Sequence, residues 1–245
     1  MKVRTRRRAT GRKVLKLQTL FFLLLATAAI YSFLQSSFFS LEHIVVTGTE
    51  QLDSEEVARL AAVPLATNLW RIDEIQVARN IRAHPMISRV EVRRRLPGTL
   101  LLHVNERKAV ALLVVDQGFV EVDMSGVALR NLKEISGINL PVITGTSLRQ
   151  SPTPGELVVA ANLDIGLKVV LALPAALQPR IAEVDVSIPD AINLFTGDGI
   201  EVRFGNIEGT DQKFQVLSDV LEARSNLTTG YIDVSYPERP IINSR

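Results

Sequence analysis

The chain contains no cysteine, which excludes disulfide frameworks, CxxC redox motifs and thiolate zinc sites. Any part of it outside the cytoplasm must fold without covalent staples. Its three histidines, His43, His84 and His103, show no close-spaced ligand pattern. The sequence also lacks a glycine-rich phosphate loop, a G-x-G-x-x-G and a G-x-S-x-G. The glycines of "TGDGIE" lead into a strand-like run and not a helix, so they read as a hairpin turn. The acid pairs Glu55-Glu56 and Asp73-Glu74 fall in the first turns of expected helices, where the helix dipole favours negative charge. No catalytic residue, cofactor site or metal site is expected, and the chain does not read as an enzyme.

Acidic residues are missing from residues 1–16, which carry eight basic ones: Lys2, Arg4, Arg6, Arg7, Arg8, Arg12, Lys13 and Lys16. With +8 there and +2 for the whole chain, the remainder is net −6. The basic pI therefore describes the N-terminus and gives no nucleic-acid signature for the rest. Charge of either sign is then absent from Leu17 to Leu41. The strongly apolar part, Leu17 to Leu34, would span about 27 Å as a helix, close to the hydrocarbon thickness of a bilayer. Basic residues before it and acids only after it predict a transmembrane helix over 17–37. The basic tail 1–16 then lies in the cytoplasm and the bulk of the chain outside. Ala26-Thr27-Ala28 offers a cleaved signal peptide as the rival reading, weakened by the apolar "AIYSFL" beyond the cut.

Beyond Leu41 the pattern shortens. "EHIVVTG" reads as a strand ending at Gly48. "LDSEEVARLAAVP" reads as a helix capped by Asp53, with Glu56 completing a capping box and Pro64 as the stop. "RIDEIQVARNIRAHP" repeats the device with Asp73 as cap and Gln76 as box partner. In "RVEVRRRLPGTLLLHVNERKAV", Val90 and Val92 alternate with charged residues. After the Leu96–Thr99 turn, Leu100, Leu102 and Val104 share one face of the return strand. Strand, helix, helix, strand, strand is the expected order.

The remainder predicts a second unit. Ala111–Val115 and Phe119–Val122 read as strands around Asp116-Gln117-Gly118, followed by the turn Asp123–Gly126. "ELVVAANLDIGLKVVLAL" predicts a core-packed helix with Leu157, Ala161, Ile165 and Val169 at four-residue steps. Glu156, Asp164 and Lys168 argue against a second membrane span. "RIAEVDVSIPD", "AINLFTGDGIEVRFG" and "GYIDVSY" read as strands. "TDQKFQVLSDVLEAR" reads as an amphipathic helix with Phe214, Leu217, Val220 and Leu221 inward. The fold class is α+β.

The motifs resemble the FtsQ/DivIB family of bacterial cell-division proteins. "RRLPGTL" (94–100) and "VNER" (104–107) are similar to the family's POTRA hairpin. "GFVEVDMSGVAL" (118–129) is similar to its strand, D-x-x-G turn and strand, "NLPVITG" (139–145) to its L-P-x-[LI]-x-G, and "GYIDVSYPERP" (230–240) to its ending. Ala109 stands where the family commonly has proline. The resemblance implies a POTRA domain over 41–108, a β domain with an antiparallel sheet and two packed helices over 109–238, and a C-terminal tail over 239–245. It further implies a single-pass type II protein of the bacterial inner (plasma) membrane, enriched at the division septum with its C-terminal domains periplasmic. Its implied role is a divisome scaffold helping to control septal peptidoglycan synthesis. In that family the last strand of the second domain engages the coiled-coil protein FtsB, itself paired with FtsL. The residues here on that element are Tyr231, Ile232, Val234, Ser235 and Tyr236. For Ile232 and Val234 ordinary sheet core is the competing reading, whereas Tyr231 and Tyr236 suit a surface. Arg93, Arg94 and Arg95 fall on the POTRA edge strand, where they discourage nonspecific pairing or contact a partner. Two rivals stand beside this reading: a POTRA-containing polypeptide-transport or secretion component, and an enzyme with a dispersed site.

Overall fold

The computed structural model describes residues 10–223 and 230–244, with side chains over 18–223 and 230–243. Residues 1–9 of the expected basic tail therefore lie outside the described residues. The chain forms two compact units. The first is built from the chain up to Arg82 together with Arg89–Asn105, and the second from Ala83–Ser88 together with Glu106 onward.

The first unit begins with α1, Thr10–Leu34, whose described apolar side chains, among them Leu20, Phe21, Phe22, Leu24 and Ile30, are exposed except for half-buried Leu34. Among the described residues no helix is long and apolar enough to cross a membrane, and the described side chains of α1 start only at Gln18. A 3-10 turn at Ser37–Phe39 leads into β1 (His43–Thr47), α2 (Ser54–Leu60), a second 3-10 turn at Leu69–Arg71, α3 (Glu74–Arg82), β2 (Ile87–Arg95) and β3 (Thr99–Glu106). The sheet order is β1-β3-β2, with β1 parallel to β3 from His43↔Thr99 to Thr47↔His103. Alternation works as expected: Leu100, Leu102 and Val104 are fully buried, packed in a core that includes Val57, Leu69, Val77 and Ile81.

Both helix starts are capped by the expected aspartates. Asp53 Oδ1 accepts from Glu55 N at 3.1 Å, and Asp73 Oδ1 from Ile75 N at 2.9 Å and Gln76 N at 3.2 Å. The box role expected of Gln76 is not taken up: its Oε1, the atom that would accept from the cap, accepts from Arg79 Nη1 at 3.4 Å, and its Nε2 donates to Asn80 Oδ1 at 2.8 Å one turn onward. Gly48 closes β1 at φ +86°, and a Cβ there would meet Val104 O at 2.1 Å, so the turn is reserved for glycine.

The second unit contains β4 (Ala109–Val115), β5 (Gly118–Asp123), β6 (Ala128–Leu132), β7 (Val142–Thr144), α4 (Leu163–Ala172), β8 (Ile181–Asp185), β9 (Ile192–Thr196), β10 (Glu201–Gly205), α5 (Thr210–Ala223), β11 (Gly230–Asp233) and β12 (Ile241–Ser244). Nine strands form one sheet in the order β12-β11-β10-β9-β8-β7-β4-β5-β6. The sheet is mixed and not antiparallel as expected. β7 runs parallel to β4 and to β8, and β10 parallel to β11. The cause is topological: α4 lies between β7 and β8, and α5 between β10 and β11, so each helix is a crossover returning the chain to a parallel neighbour.

Two further expectations change. The helix expected over "ELVVAANLDIGLKVVLAL" starts only at Leu163, because Asn162 sits in the left-handed region at φ 56°. Upstream, Ala128 N donates to Glu156 O at 2.9 Å, Val158 N to Gly126 O at 2.9 Å, and Ala161 N to Thr146 O at 3.1 Å, so main-chain partners outside a helix claim this stretch. Leu157 and Ala161 are exposed and Ile165 is half-buried, so of the four-residue series only Val169 is buried, and the buried side of α4 is Leu163, Gly166, Leu167, Val169 and Val170. Gly166 lets α4 approach β7, since a Cβ there would lie 2.6 Å from Ile143 Cγ2. Secondly, the residues expected as a C-terminal tail contain β12, whose Ile242 pairs with Ile232. Phe214 of α5 packs on Phe204 of β10 with ring centroids 4.9 Å apart, anchoring that half of the core.

Candidate functional site

The five residues singled out at the end of the chain fall on β11 and the turn after it, and the fold divides them by depth. Ile232 and Val234 are fully buried, as period-two alternation on a half-covered sheet requires. Their side chains belong to the core, so they can reach a partner only through the main chain. Tyr231 is half-buried, and Arg203 of β10 lies over its ring at 4.0 Å from the centroid, a cation–π contact that Glu201 flanks with an ion pair at 3.2 Å. Asp233 Oδ1 accepts from Ser235 N at 2.9 Å, and Val234 N donates to Arg203 O at 2.9 Å, which holds the turn against β10. Tyr236 follows with 75% of its surface exposed. It rims a cleft of about 330 Å³ lined also by Asn193, Arg203, Asn206, Asp233 and Ser235. An apolar ring with a polar tip, beside one cation, the two carboxylates of Asp190 and Asp233 and amide groups, suits a polypeptide more than a reacting small molecule.

Strand β11 has no open edge, because β10 lies on one side and β12 on the other. The pairing edge at this end of the sheet belongs to β12, residues that sequence reasoning did not select. The only signal for them was the short β-branched "PII" after the Tyr236–Arg239 turn. Ile241 is exposed, and no described segment covers the outer side of β12.

The opposite end of the same sheet is closed. Outside β6, Gly155 N donates to Ala128 O at 2.7 Å, Ala128 N to Glu156 O at 2.9 Å, and Asn131 Nδ2 to Pro152 O at 3.2 Å. Arg130 clamps buried Glu121 with two bonds, Nε–Oε2 at 2.6 Å and Nη2–Oε1 at 2.8 Å. Donating its hydrogen bonds to Glu121 raises the Arg130 pKa, an effect opposed by burial and reinforced by the carboxylate's charge. Next to it Asp123 takes Ser125 N at 2.8 Å and Val127 N at 2.9 Å on Oδ1 and Arg107 on Oδ2, which explains the aspartate of the D-x-x-G turn.

In the first unit, β2 is an edge strand carrying the arginine run. Arg93 is exposed and pairs with Glu91 at 3.1 Å. Arg95 is exposed. Arg94 turns inward, 3.3 Å from Glu74, with Nη2 donating to Ile72 O at 2.8 Å, so it ties the edge strand to the entry of α3. Another cleft, of about 310 Å³, is lined by Thr47, Glu91, Arg93, Leu101 and His103. Among the described residues no group of three or more His, Asp or Glu side chains could hold a metal.

Comparison with known proteins agrees with this layout. The family described as "POTRA domain, FtsQ-type" matches residues 39–107, and "Cell division protein FtsQ/DivIB, C-terminal" matches residues 111–235. The chain is similar to cell division protein FtsQ of Streptomyces griseus, 34% identical over 215 residues, 85% of this chain and 99% of the relative. It is also similar to cell division protein DivIB of Clostridium botulinum, 24% identical over 236 residues, 94% of this chain and 91% of the relative. Among solved structures it matches the major extracytoplasmic domain of the trans isomer of DivIB from Geobacillus stearothermophilus. That match is 17% identical, covers 49% of this chain and 96% of the other, and has a TM-score of 0.34.

Proposed function

Because this chain belongs to the FtsQ/DivIB family of cell division proteins, we propose that it is a non-enzymatic scaffold of the bacterial division machinery. It binds FtsB-like and FtsL-like coiled-coil proteins and helps to control septal peptidoglycan synthesis. Helix α1 anchors it as a single-pass type II protein of the inner membrane, N-terminus in the cytoplasm and both folded units outside, at the septum. The uncharged run from Leu17 to Leu41 and the exposure of apolar residues all round α1 support the anchor, since such a helix needs an apolar surrounding. The match of residues 111–235 to the FtsQ/DivIB C-terminal domain disfavours the polypeptide-transport alternative.

The observation that carries the partner assignment is the asymmetry of the nine-stranded sheet: β6 is covered by a loop and tied by an ion pair, whereas no described residue covers β12 beside Tyr236. An open edge binds an extended segment through main-chain hydrogen bonds, with alternate side chains setting specificity. Tyr231, Ser235 and Tyr236 supply the side-chain contacts; Ile232 and Val234 keep the strand in register from below. Depleting the protein should block septation, and the protein should co-purify with FtsB-like and FtsL-like partners. Normal septation together with no such partner would sink the reading. Tyr236→Asp should weaken co-purification by about tenfold or more, a loss of about 1.4 kcal/mol or above, while circular dichroism stays unchanged.

A further inference from the structure

The end of the first unit that receives α1 carries apolar side chains the fold leaves in the open. Helix α1 does not arrive on a loose tether. Asn68 Nδ2 donates to Leu34 O at 2.8 Å and Ser36 O at 3.3 Å, and Arg71 Nε to Gln35 Oε1 at 2.9 Å. The last carbonyl of α1, Leu34 O, and the two residues after it thus find partners in the folded unit, where a helix end would otherwise rely on water. Ser40 bridges to Asn68, and the seam continues through Leu41 N to Thr67 O at 2.8 Å and Ala66 N to Leu41 O at 2.9 Å.

Four aromatic rings run along this seam. Phe33, in the last turn of α1, stacks on Phe38 at 6.0 Å and meets Phe39 at 5.3 Å, and Phe39 meets Trp70 edge-on at 6.0 Å. Only Phe39 is buried; Phe38 is 60%, Leu65 65% and Trp70 44% exposed. Exposed Leu96 belongs to the same end. Gly98 O accepts from Glu42 N at 2.7 Å, and β1 and β3 start opposite one another at His43↔Thr99, so the β2–β3 turn lies at the α1 end of the sheet. Arg71 and Arg95 are exposed on the same two segments.

We propose that this end is a membrane-resting platform: Trp70, Leu65, Phe38 and Leu96 sit in the interfacial layer of the bilayer, with Arg71 and Arg95 facing anionic headgroups. The proposal rests on α1 being the anchor. The interfacial layer is roughly 5–7 Å deep on each side of the hydrocarbon, and Trp70 lies two ring contacts from the last turn of α1. Tryptophan prefers that layer because its ring is apolar and its N–H polar. Lipid fits better than a protein partner because the patch is continuous with a helix exposed on every side, which offers no single face for protein packing. Arginines at the rim match a negatively charged leaflet. The platform fixes the first unit against the membrane surface, so the orientation of the POTRA domain is set by lipid as well as by its tie to α1.

Trp70 is the single tryptophan of the chain, which makes the test direct. The full chain is reconstituted into phosphatidylcholine–phosphatidylglycerol vesicles and checked for co-flotation. Trp70 emission is then recorded with and without lipids brominated near the headgroup end of the acyl chain. The expected result is a blue-shifted emission and a large loss of intensity with brominated lipid, both reduced in Leu65→Asp/Leu96→Asp. A protein that floats with the vesicles while Trp70 emits as in water, unquenched, would overturn the platform and leave the anchor intact. Failure to float would remove the anchor and the platform together. Quenching unaffected by Leu65→Asp/Leu96→Asp would reduce the contact to one side chain and overturn the platform. So would an emission that shifts only on adding envelope proteins, which would give the patch to a protein partner.

Discussion

The two ends of the nine-stranded sheet face the same physical hazard and meet it in opposite ways. At β6 the backbone of Ala128 is bonded on its outer side by Gly155 and Glu156, and the bidentate Arg130–Glu121 pair fastens β6 to β5. At β12 there is no covering segment among the described residues and no charged side chain in Ile241–Ser244. An unpaired strand edge templates association, and proteins usually blunt it with charge or cover. In the short POTRA sheet the edge strand β2 is guarded by charge, with Arg93 and Arg95 exposed, whereas the other edge, β1, carries no Lys, Arg, Asp or Glu. Of the two edges left without charge, β12 is the one that lies beside exposed Tyr236 and its cleft.

Breaking the closed end should have the largest effect on stability. Arg130→Ala leaves Glu121 buried without its cation and, with the Arg130 side of the pair open to water, should cost about 1–3 kcal/mol, read as a lower urea midpoint. Partner binding below the new transition should persist, because β12 lies at the other end of the sheet. Armouring the open end should do the reverse. Ile241→Lys with Asn243→Lys should change stability by within about 0.5 kcal/mol yet abolish co-purification of the FtsB-like partner; undiminished binding would move the interface away from β12.

The arginines of β2 separate by contact and not by sequence. Arg94→Ala removes the links to Glu74 and Ile72 O and should cost about 1–2 kcal/mol, a part-exposed charged hydrogen bond. Arg93→Ala and Arg95→Ala should each stay within about 0.5 kcal/mol and instead raise self-association in light scattering. The smallest expected effect lies beside the open end, on the β10–α5 crossover. Lys213 is buried, donates to Asn206 O at 2.8 Å, and has its pKa lowered by desolvation, which the charge of Glu208 partly offsets. A lysine whose folded pKa lies below its unfolded one binds its proton more weakly when folded. Its contribution therefore makes stability rise as pH climbs from the folded pKa to the unfolded value of about 10.5. Lys213→Met should flatten that rise in urea titrations taken at stepped alkaline pH.

The site was legible in the sequence to unequal degrees. Alternation around Ile232 and Val234 already favoured core, and a tyrosine just past the strand already suggested surface, because both follow from a period of two along one strand. The exposure of Tyr236 and the cleft beside it depend on Arg203, Asn193 and Asn206, which come from other strands. Arg94 looked like its neighbours until Glu74 of α3 and Ile72 O, just ahead of that helix, were in place.

What the sequence determined by itself is whatever is settled within about one helical turn or one strand. The Asp53 and Asp73 caps, the Leu100–Leu102–Val104 face, the Asp123–Gly126 turn and the inward side of α5 all depend on near neighbours, and so does the uncharged run before Leu41. Tertiary structure alone decided the rest. It set β4 beside β7 and delayed α4 to Leu163 by giving the preceding backbone other partners. It also turned an expected tail into β12 by offering β11 as a partner. Strand pairing exchanges water for main-chain bonds to a segment distant in sequence, so only the assembled sheet specifies which edge is filled and which stays open.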